Sequence, residues 1–294
     1  MKIVVTGSLG NIGKELTNQL VKAGNKVIVV TSSSNRKAAI EATGAIPAIG
    51  SVNDAVFLTE TFKDADAVFA MTPPNLGGSN VVENTVAAGK AFAKAFTDAG
   101  IQRVVLLSSI GADLPNGNGP IESLYHIENI YNEVKNVDFT FLRAGYFYTN
   151  YYNDIPVIKG AGIVGSNLPA STRIPLVHPR DIASAAAAFL QKTSAGEKIH
   201  YIVSDFRSAE EVAKALGTAV GKPELPWVEF TDEQALEGMT NAGVPAEIAG
   251  LYTDMGAGLR KGNIQADFIK NNAPVEGKTK LEEFAKEFAA RFNG

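Results

Sequence analysis

The sequence contains no cysteine, and its 294 residues include only one tryptophan and three histidines. Without cysteine the chain can form no disulfide bond, no thiolate nucleophile and no cysteine-ligated zinc site, which fits a reducing cytoplasm. The sequence also lacks a membrane-spanning run, because apolar stretches such as IASAAAAFL fall far short of the ~20 residues that are required. We therefore expect a cytoplasmic protein with no membrane partner.

Basic side chains are not in excess, since 27 Lys and Arg residues stand against 31 Asp and Glu residues and leave a formal net charge of −4. Nucleic-acid binding needs clustered basic side chains that neutralise phosphates, so we expect no nucleic-acid partner. The histidines at positions 126, 178 and 200 lack the spacing of metal ligands, and we expect no metal. We interpret His178 and His200, which lie in or beside predicted strands, as structural residues.

What the sequence does contain is an alternation of short apolar runs with amphipathic segments. Six runs have the length and composition of buried parallel strands: Ile3–Val5, Val27–Val30, Ala45–Ile49, Ala67–Met71, Val104–Ser108 and Phe139–Arg143. Helical patterns separate these runs, for example at Asn11–Ala23 and Gly78–Ala99. Repeated strand–helix units predict an α/β fold of the Rossmann type, a doubly wound parallel sheet with helices on both faces.

The composition changes after Arg143. Residues 144–177 are rich in Gly, Pro and Asn, and helical patterns dominate after Ser208, ending in the amphipathic segment Lys280–Phe292. Between these regions, PRDIASAAAAFLQK predicts a helix and KIHYIV predicts a strand. We therefore predict a nucleotide-binding core, residues 1–150, and a smaller, mainly helical C-terminal lobe, residues 151–294, with a segment of about 171–203 that returns to the core. A homodimer is left open.

The strongest motif is the stretch KIVVTGSLGNIGKEL, in which a buried strand runs into a glycine-rich turn and a helix begins within the motif. Gly7 permits the tight turn, Gly10 lets the backbone approach a pyrophosphate, and Gly13 allows close packing of the helix on the strand. The helix N-terminus offers N–H groups to the phosphates. We predict cofactor contacts at Thr6, Gly7, Gly10, Asn11, Ile12 and Gly13. The alternative is a glycine-rich turn without a ligand.

The end of the second predicted strand indicates which nicotinamide cofactor binds. NAD-binding proteins usually place an acidic residue there, but the stretch TSSSNRK contains none. The hydroxyls of Ser32 and Ser34 and the cations of Arg36 and Lys37 suit a 2′-phosphate, so we predict NADP(H) in preference to NAD(H). In the alternative, Ser34 caps the next helix while Arg36 and Lys37 are solvated.

Four stretches, VVTGSLGNIG, VVLLSSIGA, FTFLRAGYFYTN and VHPRDIA, occur in an order that resembles the NmrA-like branch of the atypical short-chain dehydrogenase/reductases. The resemblance covers nearly the whole chain and is closest to the bacterial NAD(P)H:quinone oxidoreductases. It implies a Rossmann core whose small C-terminal lobe closes a cleft over the nicotinamide. It also implies cofactor contacts in the stretch MTPP (Met71–Pro74), which includes Thr72 and Pro73, and at Ser108 and Ser109.

Two residue pairs before the sixth predicted strand have the Tyr-x-x-x-Lys spacing, in which the lysine assists proton donation by the tyrosine. Tyr131 and Lys135 have both residue types, but they lie at the helix end that is farthest from the carboxyl ends of the strands. Tyr131 is ~9 Å farther from that edge than Tyr125. It also falls on a core-facing stripe: Ile121, Leu124, Ile127, Tyr131 and Val134. We therefore interpret Tyr131 as a core residue and the match as accidental.

Tyr125 and Asn129 share this spacing and are better placed, so we predict catalytic roles for both and for the adjacent His126. Asn129 can hydrogen-bond a ribose hydroxyl, but it lacks the positive charge that makes a neighbouring tyrosine a better acid. An unassisted tyrosine is a poor proton donor at neutral pH, whereas a histidine exchanges protons in that range. His126 is thus an alternative donor, and a surface or capping role for it stays open.

The segment AGYFYTNYYND follows the sixth predicted strand and is rich in aromatic residues. We predict that Tyr146, Phe147 and Tyr148 contact a flat substrate, because aromatic walls suit a planar ring. In the alternative, these rings pack the C-terminal lobe onto the core together with Tyr151 and Tyr152.

The favoured function is an NADPH-dependent oxidoreductase that reduces a small molecule, a quinone or a similar flat carbonyl acceptor, by direct hydride transfer. A quinone fits the missing lysine, because its delocalised product anion needs little help from a general acid. The alternative is a catalytically weak NmrA-like NADP(H) redox sensor that binds a regulatory protein partner. Isoflavone-reductase-like and sugar-nucleotide enzymes are less favoured, since the former usually keep a lysine at position 129 and the latter keep the full Tyr/Lys pair and prefer NAD.

Overall fold

The computed structural model describes residues 1–73, 79–192 and 198–294, and its internal contacts group the chain into two compact units. Unit 1 combines three stretches of the chain: Met1–Ser109, Ser123–Arg143 and Ile182–His200. Unit 2 combines three others: Ile110–Glu122, Ala144–Asp181 and Tyr201–Gly294. Each unit is thus assembled from separate stretches. The predicted division into residues 1–150 and 151–294 stays a prediction.

The described residues contain twelve β-strands. In chain order they are β1 (Lys2–Val5), β2 (Lys26–Thr31), β3 (Ile46–Ile49), β4 (Ala67–Ala70), β5 (Arg103–Ser109), β6 (Asp138–Ala144), β7 (Tyr146–Phe147), β8 (Val164–Ser166), β9 (Arg173–Val177), β10 (Ile199–Ile202), β11 (Asp205–Ser208) and β12 (Trp227–Glu229). Seven of them form one parallel sheet in the order β10-β6-β5-β4-β1-β2-β3, on which unit 1 is built. Unit 2 contains the three-stranded sheet β11-β9-β7 and the pair β12-β8.

Twelve α-helices accompany these strands in the described part of the chain. They are α1 (Gly13–Lys22), α2 (Lys37–Glu41), α3 (Ala55–Phe62), α4 (Val81–Asp98), α5 (Glu122–Asn132), α6 (Ile155–Ala161), α7 (Pro179–Leu190), α8 (Ala209–Ala219), α9 (Asp232–Asn241), α10 (Ala246–Arg260), α11 (Ala266–Lys270) and α12 (Leu281–Asn293). Short 3₁₀ turns occur at Ser34–Arg36, Gly119–Ile121 and Tyr148–Asp154. No helix of the described residues has both the length and the apolar composition that a membrane crossing requires.

The central strands of unit 1 are apolar because helices cover both faces of the sheet. Val4 of β1 lies between Ile28 of β2 and Val68 of β4, and all four residues of β4 are buried. Beside the sheet, an aromatic cluster joins α3, α4, α5 and β6, with ring centroids 5.5 Å apart for Phe62 and Phe96 and 5.1 Å apart for Tyr131 and Phe139. Fully burying one such ring contributes roughly 1.5–3 kcal/mol to folding.

Unit 2 has its own core, in which aromatic side chains of α12 pack against those of the 3₁₀ turn Tyr148–Asp154. Phe284 stacks on Tyr148 with centroids 5.1 Å apart, and Phe288 stacks on Tyr152 at 6.0 Å. The amphipathic pattern predicted α12 over Lys280–Phe292, and the helix spans Leu281–Asn293. The apolar residues of α12 recur every three or four positions, so they share one face of the helix, which packs against the rest of unit 2.

The predicted Rossmann-type α/β fold is confirmed, and all six predicted strands of the sheet are present with ends shifted by at most one residue. The helix predicted from Gly78 begins at Val81 among the described residues, whereas Gly78 itself and Pro74 lie outside them. In the observed strand order the chain moves from β1 to β2 on one side and returns to β4 on the other. Ligands of such sheets bind outside the carboxyl ends of the strands at this switch point.

Candidate functional site

The first part of the candidate site is the turn between β1 and α1, at the switch point of the unit 1 sheet. Thr6 joins the ends of β1 and β4, because its hydroxyl accepts a hydrogen bond from the Met71 N–H at 2.8 Å and donates to the Phe69 carbonyl at 3.1 Å. Thr6 is fully buried, so in this structure it fixes the position of the turn. Its predicted contact with a cofactor stays a prediction.

Two glycines of this turn occupy positions that a side chain would obstruct. Gly7 has a φ of +94°, and a Cβ atom there would overlap the Met71 side chain. A Cβ atom on Gly13 would overlap the carbonyl oxygen of Ser8. Gly7 therefore makes the tight turn possible, and Gly13 lets the first turn of α1 pack closely on it. Both glycines have the backbone environments that the motif predicts.

Polar groups in this turn, and at Thr72 just after β4, have no partner within the described part of the chain. The hydroxyls of Ser8 and Thr72 are buried without a hydrogen-bond partner among the described residues. Ile12 occupies the N-cap position of α1, and no side chain caps this helix. Gly10 and Asn11 are exposed at the tip of the turn. Since phosphate oxygens accept N–H and O–H donors, these residues fit the pyrophosphate of a dinucleotide.

The turn after β2 is open to solvent. All four predicted contact residues are exposed: Ser32, Ser34, Arg36 and Lys37. Ser33 rather than Ser34 occupies the N-cap position of the 3₁₀ turn, and no side chain caps it, so the alternative in which Ser34 caps the helix is wrong. Lys37 lies 4.0 Å from Glu41, with both side chains more than half exposed. Such surface pairs are worth only ~0–1 kcal/mol, so Lys37 is readily available to another anion.

The remaining predicted cofactor contacts lie at the ends of β4 and β5. Thr72 is buried and Pro73 is exposed, whereas Pro74, which the resemblance also implied, is outside the described residues. Ser108 is buried, and Ser109, the last residue of β5, is half-buried. Because β1, β4 and β5 are neighbouring parallel strands, their carboxyl ends meet at one edge of the sheet. The structure thus brings the glycine turn and these residues to the same edge.

A buried ion pair, which the sequence patterns did not predict, contacts Ser108. The Ser108 hydroxyl donates to Glu128 Oε1 at 2.6 Å, and Arg143 donates to the same carboxylate from Nε at 3.1 Å and from Nη2 at 2.7 Å. The side chains of Glu128 and Arg143 are each only 6% exposed. A hydroxyl has one proton, and Glu128 holds it, so Ser108 can offer only lone pairs to a ligand. The one feature of the sequence that could have indicated this pair is Arg143, a cation at the end of the otherwise apolar strand FTFLR.

Helix α5 positions the predicted catalytic residues. Tyr125 and His126 are half-buried, and their ring centroids lie 5.4 Å apart with an angle of 76° between the rings. Asn129 is exposed one helical turn beyond Tyr125, on the same side of the helix. The helix thus keeps Tyr125 and Asn129 adjacent, as their spacing predicts. Their catalytic roles, and that of His126, stay predictions.

The interpretation of Tyr131 as a core residue is confirmed. Its side chain has no exposed surface, and burial raises the pKa of its phenol well above the usual value. Ile127, one turn earlier, is also fully buried, and a Cβ atom on Gly89 of α4 would lie 2.6 Å from Ile127 Cγ1. Lys135 lies in an exposed turn before β6. Tyr131 and Lys135 therefore do not form a catalytic pair in this structure.

In unit 2 the aromatic segment forms β7 and the following 3₁₀ turn. Tyr146 and Phe147 are half-buried. Tyr148 has no exposed surface, and its hydroxyl donates to Asp205 Oδ2 at 3.3 Å. Burial, followed by the negative charge of Asp205, raises the pKa of Tyr148. The position of Tyr148 favours the packing alternative for this ring over contact with substrate.

Asp154 ends this aromatic turn, and the sequence patterns did not predict a role for it. It occupies the N-cap position of α6, but its side chain accepts no capping hydrogen bond. Burial raises the pKa of this carboxyl from 3.8 to about 7. Its charge also contributes to the raised pKa values of Tyr146 and Tyr151, for which burial is the larger cause. An aspartate before Ile-Pro is typical of a helix cap, so its residue type and position did not indicate any other role.

The remaining histidines have structural surroundings. His178 is buried, its Nδ1 accepts the Arg180 N–H at 3.0 Å, and its Nε2 lies 3.3 Å from Glu287 Oε2. His200 packs against Phe189, with ring centroids 4.8 Å apart. Among the residues that the structure describes, no group of three or more His, Asp or Glu side chains could hold a metal ion.

Comparisons with known proteins find relatives along nearly the whole chain. The sequence model of the NmrA-like family matches residues 1–285. NAD(P)H azoreductase from Xenophilus azovorans is 26% identical over 295 residues, which cover 99% of this chain and 99% of the azoreductase.

Two solved structures resemble this chain in fold. An NADPH-dependent quinone oxidoreductase from Escherichia coli, in complex with NADPH, has a TM-score of 0.83 at 18% identity and covers 97% of this chain and 99% of its own. The triphenylmethane reductase of Citrobacter sp. has a TM-score of 0.81 at 20% identity and covers 99% of this chain and 100% of its own. At these identities the two structures support the fold alone.

Proposed function

The chain belongs to the NmrA-like family, and on that premise we propose that it is an NADPH-dependent oxidoreductase acting on a quinone or a similar flat acceptor. The main support is the glycine turn at the switch point. No side chain caps the N-terminus of α1 there, and the buried hydroxyls of Ser8 in the turn and of Thr72 after β4 have no partner among the described residues, which suits an anionic ligand. The azoreductase relative, whose name includes NAD(P)H, and the NADPH-dependent quinone oxidoreductase of similar fold agree with this proposal.

The proposed cofactor site uses residues of unit 1. The glycine turn binds the pyrophosphate, and the exposed cations Arg36 and Lys37 bind the 2′-phosphate together with the hydroxyls of Ser32 and Ser34. The absence of an acidic residue in this turn favours NADP(H) over NAD(H). When bound, NADPH supplies a hydride from its nicotinamide.

The proposed acceptor site uses the half-buried rings of Tyr146 and Phe147 in unit 2. Their flat faces orient a planar acceptor, and orientation alone contributes much of the rate of a bimolecular transfer. A quinone delocalises the charge that it gains, so the lack of a lysine at Asn129 is tolerated. Ser108 accepts rather than donates a hydrogen bond, because its proton is held by Glu128.

The test is NADPH consumption by the purified protein with a panel of benzoquinones, naphthoquinones, azo dyes and aldehydes, with NADH run in parallel. We expect turnover with the quinones or the azo dyes and a preference for NADPH. Gly13→Ala tests the cofactor site, since its added methyl group overlaps the Ser8 carbonyl, and it should lose both NADPH binding and turnover. Gly238→Ala, at a position with open space around it, is the control and should keep both. Tight NADPH binding without turnover on any acceptor would contradict the proposed oxidoreductase activity and favour the alternative of a cofactor sensor.

A further inference from the structure

Two identical Asn-Gly dipeptides lie next to each other in the stretch DLPNGNGP of unit 2. The first is Asn116–Gly117 and the second is Asn118–Gly119. In an Asn-Gly dipeptide the backbone nitrogen of the glycine can attack the side-chain amide of the asparagine, because glycine has no Cβ atom to block the approach. Since the residue types are the same, a difference in reactivity between the two dipeptides must come from the structure.

Asn116 and Gly117 lie in a bend with few constraints. Both residues are exposed, and a Cβ atom added to Gly117 would meet no other atom within 4 Å. Within the described part of the chain, neither the Asn116 side chain nor the Gly117 N–H forms a hydrogen bond. The attacking nitrogen, the amide carbon and water can therefore meet here without breaking any contact of the folded protein.

Asn118, by contrast, is held in place and shielded from water. It has no exposed surface, and its Nδ2 donates to the carbonyl oxygens of Gly111 at 2.9 Å and of Leu114 at 3.0 Å. Carbonyl oxygens accept hydrogen bonds and cannot protonate a departing amine. Asn118 Oδ1 is buried without a partner among the described residues, so no donor there would stabilise the negative charge that an attack places on this oxygen.

Gly119 is as constrained as Asn118. Its φ is +61°, and a Cβ atom there would lie 2.0 Å from the carbonyl oxygen of Leu251 in α10. The Asn118 carbonyl accepts the Ile121 N–H at 3.4 Å, where the 3₁₀ turn Gly119–Ile121 begins. Ring closure at Asn118 would rotate this backbone, so the segment must first open locally.

We propose that Asn116 is a site of spontaneous deamidation in the folded protein and that Asn118 is protected. The Gly117 nitrogen loses its proton to water or hydroxide and forms a bond to Asn116 Cγ. The bond from Cγ to the side-chain nitrogen breaks, and this nitrogen takes a proton from water and leaves as ammonia. Water then opens the resulting succinimide at one of its two ring C–N bonds. The products are aspartate and isoaspartate, and no atom is oxidised or reduced.

The modification changes both the charge and the length of the bend. Each product adds a negative charge, and isoaspartate also adds one carbon atom to the backbone. The Gly117 carbonyl oxygen packs against α10, where a Cβ atom on Gly258 would lie 2.4 Å from it. The modified segment is thus one that contacts α10. The reaction requires only water, so its test does not depend on the proposed oxidoreductase activity.

The test compares folded and unfolded wild-type protein by peptide mapping with mass spectrometry. Samples are incubated at pH 8 in buffer alone and in guanidinium chloride, and fragment spectra assign the mass increase to Asn116 or to Asn118. In the folded protein we expect Asn116 to react at least ~10-fold faster, because Asn118 reacts only after local opening. In guanidinium chloride the two rates should agree within about three-fold, because both dipeptides are then unfolded.

A variant and a third dipeptide serve as controls. Asn116→Gln has the same amide on a longer side chain, which closes a larger ring more slowly, so the folded variant should stay unmodified at positions 116 and 118. Asn293–Gly294, at the end of α12, lies in a separate tryptic peptide and is counted separately. Equal rates at Asn116 and Asn118 in the folded protein would overturn the proposal. An Asn116 that reacts in guanidinium chloride but not in the folded protein would also overturn it.

Discussion

Breaking the buried ion pair of Glu128 and Arg143 should destabilise unit 1 more than any surface charge change. Glu128→Gln keeps the shape of the side chain and an oxygen that can accept from Ser108. It removes the negative charge that Glu128 places beside the Arg143 guanidinium, which is 6% exposed. Both guanidinium hydrogen bonds to the carboxylate, at 3.1 and 2.7 Å, then become weaker or are lost.

The expected magnitude follows from the burial of both partners. Removing one partner of a buried pair typically costs about 3–5 kcal/mol, because the remaining charge stays desolvated. At roughly 2–4 °C per kcal/mol for a domain of this size, the melting temperature should fall by about 6–20 °C. The double variant Glu128→Leu/Arg143→Met removes both charges, so it should recover much of the loss.

Urea unfolding at pH 7, in low salt and in 1 M NaCl, measures this difference. The surface pair Lys94–Asp98, with an N–O distance of 2.6 Å and both side chains largely exposed, is the matched control. Asp98→Asn should lower the free energy of unfolding by less than ~1 kcal/mol, and high salt should remove that effect. The loss in Glu128→Gln should persist in high salt, because the pair is shielded from ions.

Two results would refute this reasoning. A free energy of unfolding in Glu128→Gln within ~0.5 kcal/mol of the wild type would mean that the pair is hydrated in solution. A double variant that is less stable than Glu128→Gln would mean that the two side chains stabilise unit 1 through contacts other than their charge.

Four further predictions concern single residues. Tyr131→Phe should leave NADPH turnover unchanged and should be neutral or stabilising by up to ~2 kcal/mol in urea unfolding, because the lost hydroxyl is buried without a partner among the described residues; a large loss of turnover would restore the Tyr131–Lys135 pair as catalytic. Gly13→Ala should lower the melting temperature, whereas Gly238→Ala, at a helical position with open space around it, should not, and calorimetry of both variants checks this. Arg36→Ala should weaken NADPH binding about 10- to 100-fold, since a hydrogen bond to a charged group contributes ~1.5–3 kcal/mol. Titration calorimetry should show nearly unchanged NADH binding in this variant. An equal loss of affinity for NADPH and NADH would exclude a contact of Arg36 with the 2′-phosphate. The pKa of Asp154 is about 7 in the folded protein, above its ordinary 3.8, so the residue contributes stability at low pH that is lost as the pH rises through 7. Asp154→Asn should therefore raise the free energy of unfolding at pH 8 relative to the wild type, by at most about 4 kcal/mol. An equal pH dependence of stability in both proteins would contradict the raised pKa of this carboxyl.

Local features of the chain were predictable from the sequence. The glycine turn is specified by residues within one strand and one helix, and the structure confirms the environments of Gly7 and Gly13. The core position of Tyr131 follows from the helical period, since Ile127 and Tyr131 share one buried face. The strands of the sheet follow from their continuous apolar runs, which both faces of a covered parallel sheet require.

Features that depend on distant residues were not predictable. Glu128 and Arg143 are separated by 15 positions, and nothing in the sequence shows that both side chains point into the same buried space. Tyr148 and Tyr146 lie in the same aromatic segment, so the sequence does not distinguish them. Tyr148 nevertheless contacts Asp205, which is 57 positions away, and lies in the core of unit 2. Asp154 has the sequence context of a helix cap, and only its surroundings in three dimensions show that it is a half-buried acid with a raised pKa.

Direct hydride transfer to a flat acceptor is tested most directly by single-turnover mixing. The protein is first loaded with NADPH that carries deuterium on one face of nicotinamide C4, pro-R or pro-S, and is then mixed with excess benzoquinone under anaerobic conditions. We expect one of the two labelled cofactors to be oxidised more slowly than unlabelled NADPH, with one hydroquinone formed per cofactor consumed. Bound NADPH that persists unchanged in the presence of every acceptor would contradict the proposed oxidoreductase activity. Equal oxidation rates for the pro-R-labelled and the pro-S-labelled cofactor would contradict direct transfer from nicotinamide C4.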